Sequence, residues 1–266
     1  MLADVIRHHN VLWNLTLREI RVRYKQSLLG VVWALFVPLA MMLTFAFVFS
    51  RITGVADTFA TTMPYPIFLY IGLLPWVFFA QSMNTATNSL VANRNLVTKI
   101  YFPREVFPFS AILSCLFDFL LASTVLVGLI VYYDVLTPWD FHLRMTSLWV
   151  PVAFGVQLTF MAGLAMWLSL ANLFYRDVKY LVTVMLQLWL FLTNVIYPLP
   201  TNDPLVKALI SANPMTPIIA SYRRGLIDGL APEPGPFLAA TLISLFVLLT
   251  GWRLFRGTEH RFAECI

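Results

Sequence analysis

Six apolar runs divide the chain, at about Leu28–Ser50, Pro66–Leu90, Phe107–Tyr133, Leu148–Phe174, Tyr180–Tyr197 and Pro236–Phe255. A bilayer core of ~30 Å takes about 20 apolar residues at ~1.5 Å rise each, so every run reads as a crossing. Only helices satisfy their backbone internally in lipid, so the pattern predicts an all-α polytopic membrane protein with six transmembrane helices. The runs use up most of the 266 residues, and residues 1–266 read as one transmembrane domain.

Three segments between the runs carry patterns of their own. In residues 4–27, Trp13, Leu17, Ile20 and Tyr24 share one helical stripe, with Arg18, Arg21 and Lys25 to one side of it. That predicts an amphipathic helix in the membrane interface, its basic side chains towards the headgroups. Residues 91–106 predict a short helix holding Leu96 and Ile100 four apart, stopped by Pro103. Such a helix is either a passive turn or the point where a motor subunit moves the spans. Residues 198–235 are apolar yet rich in proline. Asp203-Pro204 and Thr216-Pro217 each place an N-cap residue before an N1 proline. They predict short helices at Pro204–Ser211 and Pro217–Asp228, the second closed by Gly229. Too short to cross, these lie on or dip into the outer leaflet, as a lid or as a wall of an exit route.

Charge orients the spans. With the N-terminus in the cytoplasm, 13 of the 18 Lys+Arg residues fall on the inside, and only Arg51, Arg144, Lys207, Arg223 and Arg224 fall outside. The positive-inside rule therefore puts both termini in the cytoplasm. The net charge of +5 then reads as topology and contact with anionic membrane lipids, and no nucleic-acid partner is expected. Charged residues are 12% of the chain, about half the share of a soluble domain. Cys115 and Cys265 give no disulfide framework, and the polar stretch before the first run is too long for a cleaved signal.

No G-x-x-x-x-G-K-[ST] phosphate loop, no metal-ligand cluster and no G-x-S-x-G elbow occurs in the sequence. No catalytic residue, metal site or cofactor is expected on this chain. Asp118 lies ~16 Å into the third run, where a carboxylate costs at least ~2.5 kcal/mol and must face protein or water. It reads as a hydrogen-bonded structural residue or as a proton or substrate contact. Gln81, Asn84, Asn88, Gln157, Gln187 and Asn194 are either glue between helices or pore lining. An ion-coupled secondary transporter would want more intramembrane charge than Asp118. A membrane-embedded transferase would want clustered acidic or histidine residues on its loops.

Four ordered stretches carry a family resemblance: Leu15–Pro38 (LTLREIRVRYKQSLLGVVWALFVP), Leu96–Pro108 (LVTKIYFPREVFP), Phe174–Tyr180 (FYRDVKY) and Asn213–Gly225 (NPMTPIIASYRRG). Together they resemble the ABC-2 type permeases that export polysaccharides, the membrane subunits of O-antigen, capsule and teichoic-acid exporters, with a type V exporter fold. The resemblance implies a homodimer in the bacterial cytoplasmic membrane, joined to two ABC subunits that hold ATP and Mg. It implies a lipid-linked polysaccharide, usually on undecaprenyl diphosphate, passing through a channel at the dimer interface. It makes residues 91–106 the ATPase-coupling segment, with Asn93, Arg94, Leu96, Lys99, Ile100, Arg104 and Glu105 as its contacts. Arg18, Arg21, Arg23 and Lys25 become candidates for the carrier diphosphate, and Thr216, Tyr222, Arg223 and Arg224 for a periplasmic gate.

Overall fold

Apolar runs of this length leave the chain few options but helix, and helix is what it forms. The computed structural model describes residues 8–25, 27–52, 63–99, 103–196, 210 and 212–258. In order come α1 (His9–Tyr24), α2 (Val32–Phe47, extended by a π-helical turn Val48–Ile52) and α3 (Tyr65–Ala92). There follow α4 (Arg94–Lys99), α5 (Val106–Leu136) and α6 (Trp149–Phe174, entered through a 3-10 turn Met145–Leu148). The last are α7 (Val178–Phe191), α8 (Met215–Arg223, extended by a π-helical turn Arg224–Asp228) and α9 (Pro234–Thr258). No strand occurs among the described residues.

Among the described residues, five helical stretches are long and apolar enough to cross a membrane: Val32–Ser50, Tyr65–Ala92, Val106–Leu136, Met145–Phe174 and Pro234–Thr258. The sixth expected crossing, 180–197, corresponds to α7, which has 14 residues. At ~1.5 Å per residue it reaches about 21 Å, short of the hydrocarbon core. The chain leaves the helix at Leu192, whose N–H bonds the Trp189 carbonyl three residues back, and turns through Val195.

α3 is the central helix. Tyr70, Phe78, Phe79, Ile67, Leu69 and Leu73 on it are fully buried, against α5, α6, α2, α7 and α8. Outward-facing positions such as Leu43, Val127, Leu188 and Phe246 stay exposed and apolar, as lipid or a second subunit requires. α6 and α9 cross closely because Gly163 meets Gly251. A Cβ on Gly163 would lie 2.5 Å from the Leu248 nitrogen, and one on Gly251 would lie 2.6 Å from the Gly163 carbonyl. Small residues at such a crossing let two backbones touch without any drive from water.

α1 makes protein contacts that its apolar stripe does not predict. Leu15 is buried in a cluster with Phe107, Met166 and Phe255, with Val11 and Leu12 packed beside it. Trp13, on the apolar stripe read from the sequence, is instead 59% exposed. The inward face is mixed: its polar members Glu19 and Arg23 find partners on α5, which a count of apolar positions cannot detect.

Candidate functional site

α1 runs alongside the first turns of α5 in the same direction. Leu15 packs with Phe107, Glu19 accepts a hydrogen bond from the Ser110 hydroxyl at 3.1 Å, and Arg23 reaches Ser114 at 3.1 Å and Asp118. Tyr24 also donates to Asp118 through its phenol. Asp118 is thus hydrogen-bonded to protein, and its basic partner comes from 95 residues earlier in the chain. α5 has 31 residues, about 46 Å at ~1.5 Å each, well beyond one hydrocarbon core. Counting ~16 Å from the start of the run therefore does not by itself place Asp118 at the middle of the bilayer.

The same helix is tied to the segment after α3. Arg18 donates to the Asn93 side-chain carbonyl, while the Asn93 amide donates to the Ser89 carbonyl at 2.8 Å. Asn93 is buried at the joint between α3 and α4. α4 covers most of the short helix expected from 91–106. Leu96 packs on the cluster that holds Leu15, and Arg94 is exposed. Glu105 is buried at the start of α5 and accepts from Arg256 on α9 at 3.3 Å, with the Arg256 guanidinium over the Trp252 ring. Arg104 is half-buried beside it. Ile100 and the side chain of Lys99 lie outside the described residues.

Between α1 and the end of α3 lies a pocket of about 500 Å³, walled by Arg18, Glu19 and Arg23 on one side and Asn84, Asn88 and Asn93 on the other. Burial pushes the Glu19 carboxyl above the usual carboxylate range, against the opposing pull of Ser110, Ser114, Arg18 and Arg23. Arg21 and Lys25 are exposed and do not line this pocket.

The second expected site divides in two. Arg223 is buried, its guanidinium 3.6 Å from the Phe68 ring centre. It donates to the carbonyls of Phe68 (3.2 Å), Asn194 and Val195 (2.6 Å), so it clamps α8 to α3 and to the turn after α7. Gly72 gives it room, since a Cβ there would lie 2.3 Å from the guanidinium. Tyr222 is also interior. Its hydroxyl donates to Gln157 at 2.7 Å, and the Gln157 amide donates to the Pro75 carbonyl at 2.9 Å. Arg224 lies at the surface, bonded to Glu233 at 2.6 Å.

Thr216 is not the N-cap that the sequence suggested. α8 starts one residue before it, and the Met215 N–H bonds the Asn213 side chain at 3.0 Å. Asn213 also donates to Thr193 at 2.8 Å, which fixes the start of α8 against the end of α7. Thr216 Oγ1 is buried and has no hydrogen-bond partner among the described residues. The end of the helix is as expected: Gly229 takes the left-handed backbone at φ 64°. Pro204–Ser211 lies almost wholly outside the described residues.

A family model for the ABC-2 type transporter matches residues 10–227. The chain belongs to that family. Relatives match along its whole length. The O-antigen export system permease protein RfbA of Myxococcus xanthus is 30% identical, covering 100% of this chain and 99% of its own. A Klebsiella pneumoniae protein of the same name is 28% identical over 95% of this chain and 93% of its own. The polysialic acid transport protein KpsM of Escherichia coli is 25% identical over 92% of each. In this ABC-2 chain, sequence reasoning missed the Arg23–Asp118 and Arg256–Glu105 pairs, whose members stand too far apart for any local signal. The Asn213-Pro214 turn carries the sequence signal for the cap of α8.

Proposed function

We propose that this chain is the permease subunit of an ATP-driven exporter of a lipid-linked polysaccharide, working as a homodimer with two ABC subunits that carry ATP and Mg. The full-length likeness to O-antigen export permeases carries this reading. Undecaprenyl-diphosphate-linked O-antigen is the cargo it favours. The weaker likeness to a polysialic acid transport protein favours capsule export as the second reading.

In this reading α7 and the turn after it complete six crossings, and both termini face the cytoplasm. The segment Asn93, Arg94, Leu96, Lys99, Ile100, Arg104 and Glu105 receives the stroke of the ABC subunits. The Arg18–Asn93 bond passes it to α1, and the Arg23–Asp118 and Glu19–Ser110 bonds pass it from α1 to α5. The exposed Arg21 and Lys25 meet the carrier diphosphate and anionic headgroups, while Arg18 and Arg23 hold the helix in place. α8, with Thr216, Tyr222, Arg223 and Arg224, borders the exit as the periplasmic gate.

Deleting the gene in its host should abolish surface polysaccharide and leave carrier-linked polymer inside, with both restored by a plasmid copy. Purified alone, the chain should hydrolyse no ATP. Unchanged surface polymer in the deletion strain, or hydrolysis by the isolated chain, would defeat the proposal.

A further inference from the structure

We infer that the pocket between α1 and the end of α3 is a sugar-binding subsite, holding a neutral residue of the glycan where the polymer is loaded. This rests on the glycan cargo of the preceding section and adds a specific site and ligand class to it.

The pocket, about 500 Å³, falls within the ~300–1,000 Å³ of small-molecule sites. Its walls have hydrogen-bonding capacity that the chain itself does not use. Glu19 Oε2 is buried and has no hydrogen-bond partner among the described residues. Asn84 and Asn88, four residues apart on one face of α3, are both exposed. Asn84 accepts the Thr183 hydroxyl at 3.0 Å with its carbonyl, and Asn88 bonds nothing among the described residues. Primary amides and a carboxyl, side by side, offer both donors and acceptors, as a ring of hydroxyls that donate and accept requires. Exposed amides on a span also need water, protein or a polar ligand beside them.

A diphosphate fits the same walls poorly. The guanidinium of Arg18 is turned to Asn93 and that of Arg23 to Asp118 and Ser114, so neither is free to balance an incoming dianion. Glu19 stands among them as an acid. Its carboxyl, held neutral more readily than usual by burial, can donate to a sugar hydroxyl as well as accept from one. The exposed Arg21 and Lys25 do not line this pocket, so the diphosphate and the sugar have separate places along α1.

The test places a reporter cysteine at Ala92, in the pocket wall, in a background of Cys115→Ala and Cys265→Ala. The permease, co-expressed with its ABC subunit and held in nanodiscs, is labelled with a maleimide in the presence of two probes. One is the oligosaccharide released by mild acid from the cell's own exported polymer; the other is inorganic diphosphate. The oligosaccharide should slow labelling and the diphosphate should not. Asn88→Ala, Asn84→Ala and Glu19→Ala should each weaken the oligosaccharide by up to about tenfold, one hydrogen-bonding group's worth. Protection by diphosphate alone, protection by neither probe, or protection that ignores all three substitutions would overturn the assignment. A deletion strain that still exports its polymer would instead defeat the cargo reading, and it is scored without the labelling assay.

Discussion

Arg223 offers a direct test of whether α8 is held by an interior clamp or carries a surface arginine at a gate. Arg223→Met keeps most of the apolar volume and the contact with the Phe68 ring but removes every donor. The Phe68 carbonyl lies within α3 and keeps its helical environment, whereas those of Asn194 and Val195 lie in an irregular turn. Each buried carbonyl left unsatisfied costs about 1–3 kcal/mol, so the two together predict a loss of ~3 kcal/mol. For a protein of this size that is roughly 6–12 °C in melting temperature. Gly72→Ala reaches the same clamp from the other side, since its Cβ would stand 2.3 Å from the guanidinium. The two substitutions share one interaction, so the double variant should cost clearly less than the sum of the singles. Melting followed by fluorescence-detected size-exclusion of the solubilised permease measures all three. An Arg223→Met protein that melts with the parent, or strict additivity with Gly72→Ala, would refute the clamp and return Arg223 to a surface role.

Three further outcomes follow from the same geometry. Arg18→Ala and Asn93→Ala should each lower glycan export without lowering the yield of the complex, and the double variant should do little more than either single, as one shared bond of ~0.5–1.5 kcal/mol requires. Glu19→Gln should stabilise the permease at pH 7.5, and the gain should vanish in acid. Its folded pKa is raised, so ionisation opposes folding increasingly as pH climbs past the unfolded value; melting curves of both proteins across pH decide it. Asn213→Ala should cost ~1 kcal/mol by freeing the first N–H of α8, while Thr216→Val should cost nothing or stabilise, because Thr216 Oγ1 has no partner to lose.

The long crossings were legible because lipid leaves a helix no alternative. The run Pro66–Leu90 became Tyr65–Ala92, and Leu148–Phe174 became Trp149–Phe174. Where polar contacts decide the structure, the apolar pattern misled. The stripe Trp13–Leu17–Ile20–Tyr24 suggested a helix flat on the interface. The side of α1 that packs inward holds Leu15, Glu19 and Arg23, because serines and an aspartate on α5 supply partners that the hydropathy of α1 does not register. The depth of Asp118 is likewise not fixed by the apolar pattern. Counting from the start of an apolar run assumes that the run starts at the edge of the hydrocarbon, but α5 is longer than the bilayer needs. The fifth run was read to Tyr197, yet α7 ends at Phe191, where the carbonyls of Asn194 and Val195 turn to Arg223 in place of the next helical turn.

The mixed face of α1 suits a helix that must move. Its first half is fixed by Leu12 and Leu15 against the α5–α6–α9 cluster, and its second half by polar bonds to the first turns of α5. The Arg23 side chain is 29% exposed and that of Asp118 10%, so water can reach the pair as it parts. A pair of this kind contributes little net stability and opens at little cost, unlike an apolar seam of the same area. Arg23→Leu with Asp118→Leu and Tyr24→Phe would convert the latch into such a seam. Replacing an ion pair by packed apolar groups is often neutral or stabilising by about 1–4 kcal/mol, so the triple variant should fold, melt no lower than the parent and still bind its ABC subunit. Export should nevertheless fall, and ATP hydrolysis should proceed with less glycan moved per ATP, because the stroke no longer shifts α1 against α5. If the triple variant melts with the parent and exports at the parent's rate, α1 does not move relative to α5 during transport, and its polar bonds serve only to hold it in place.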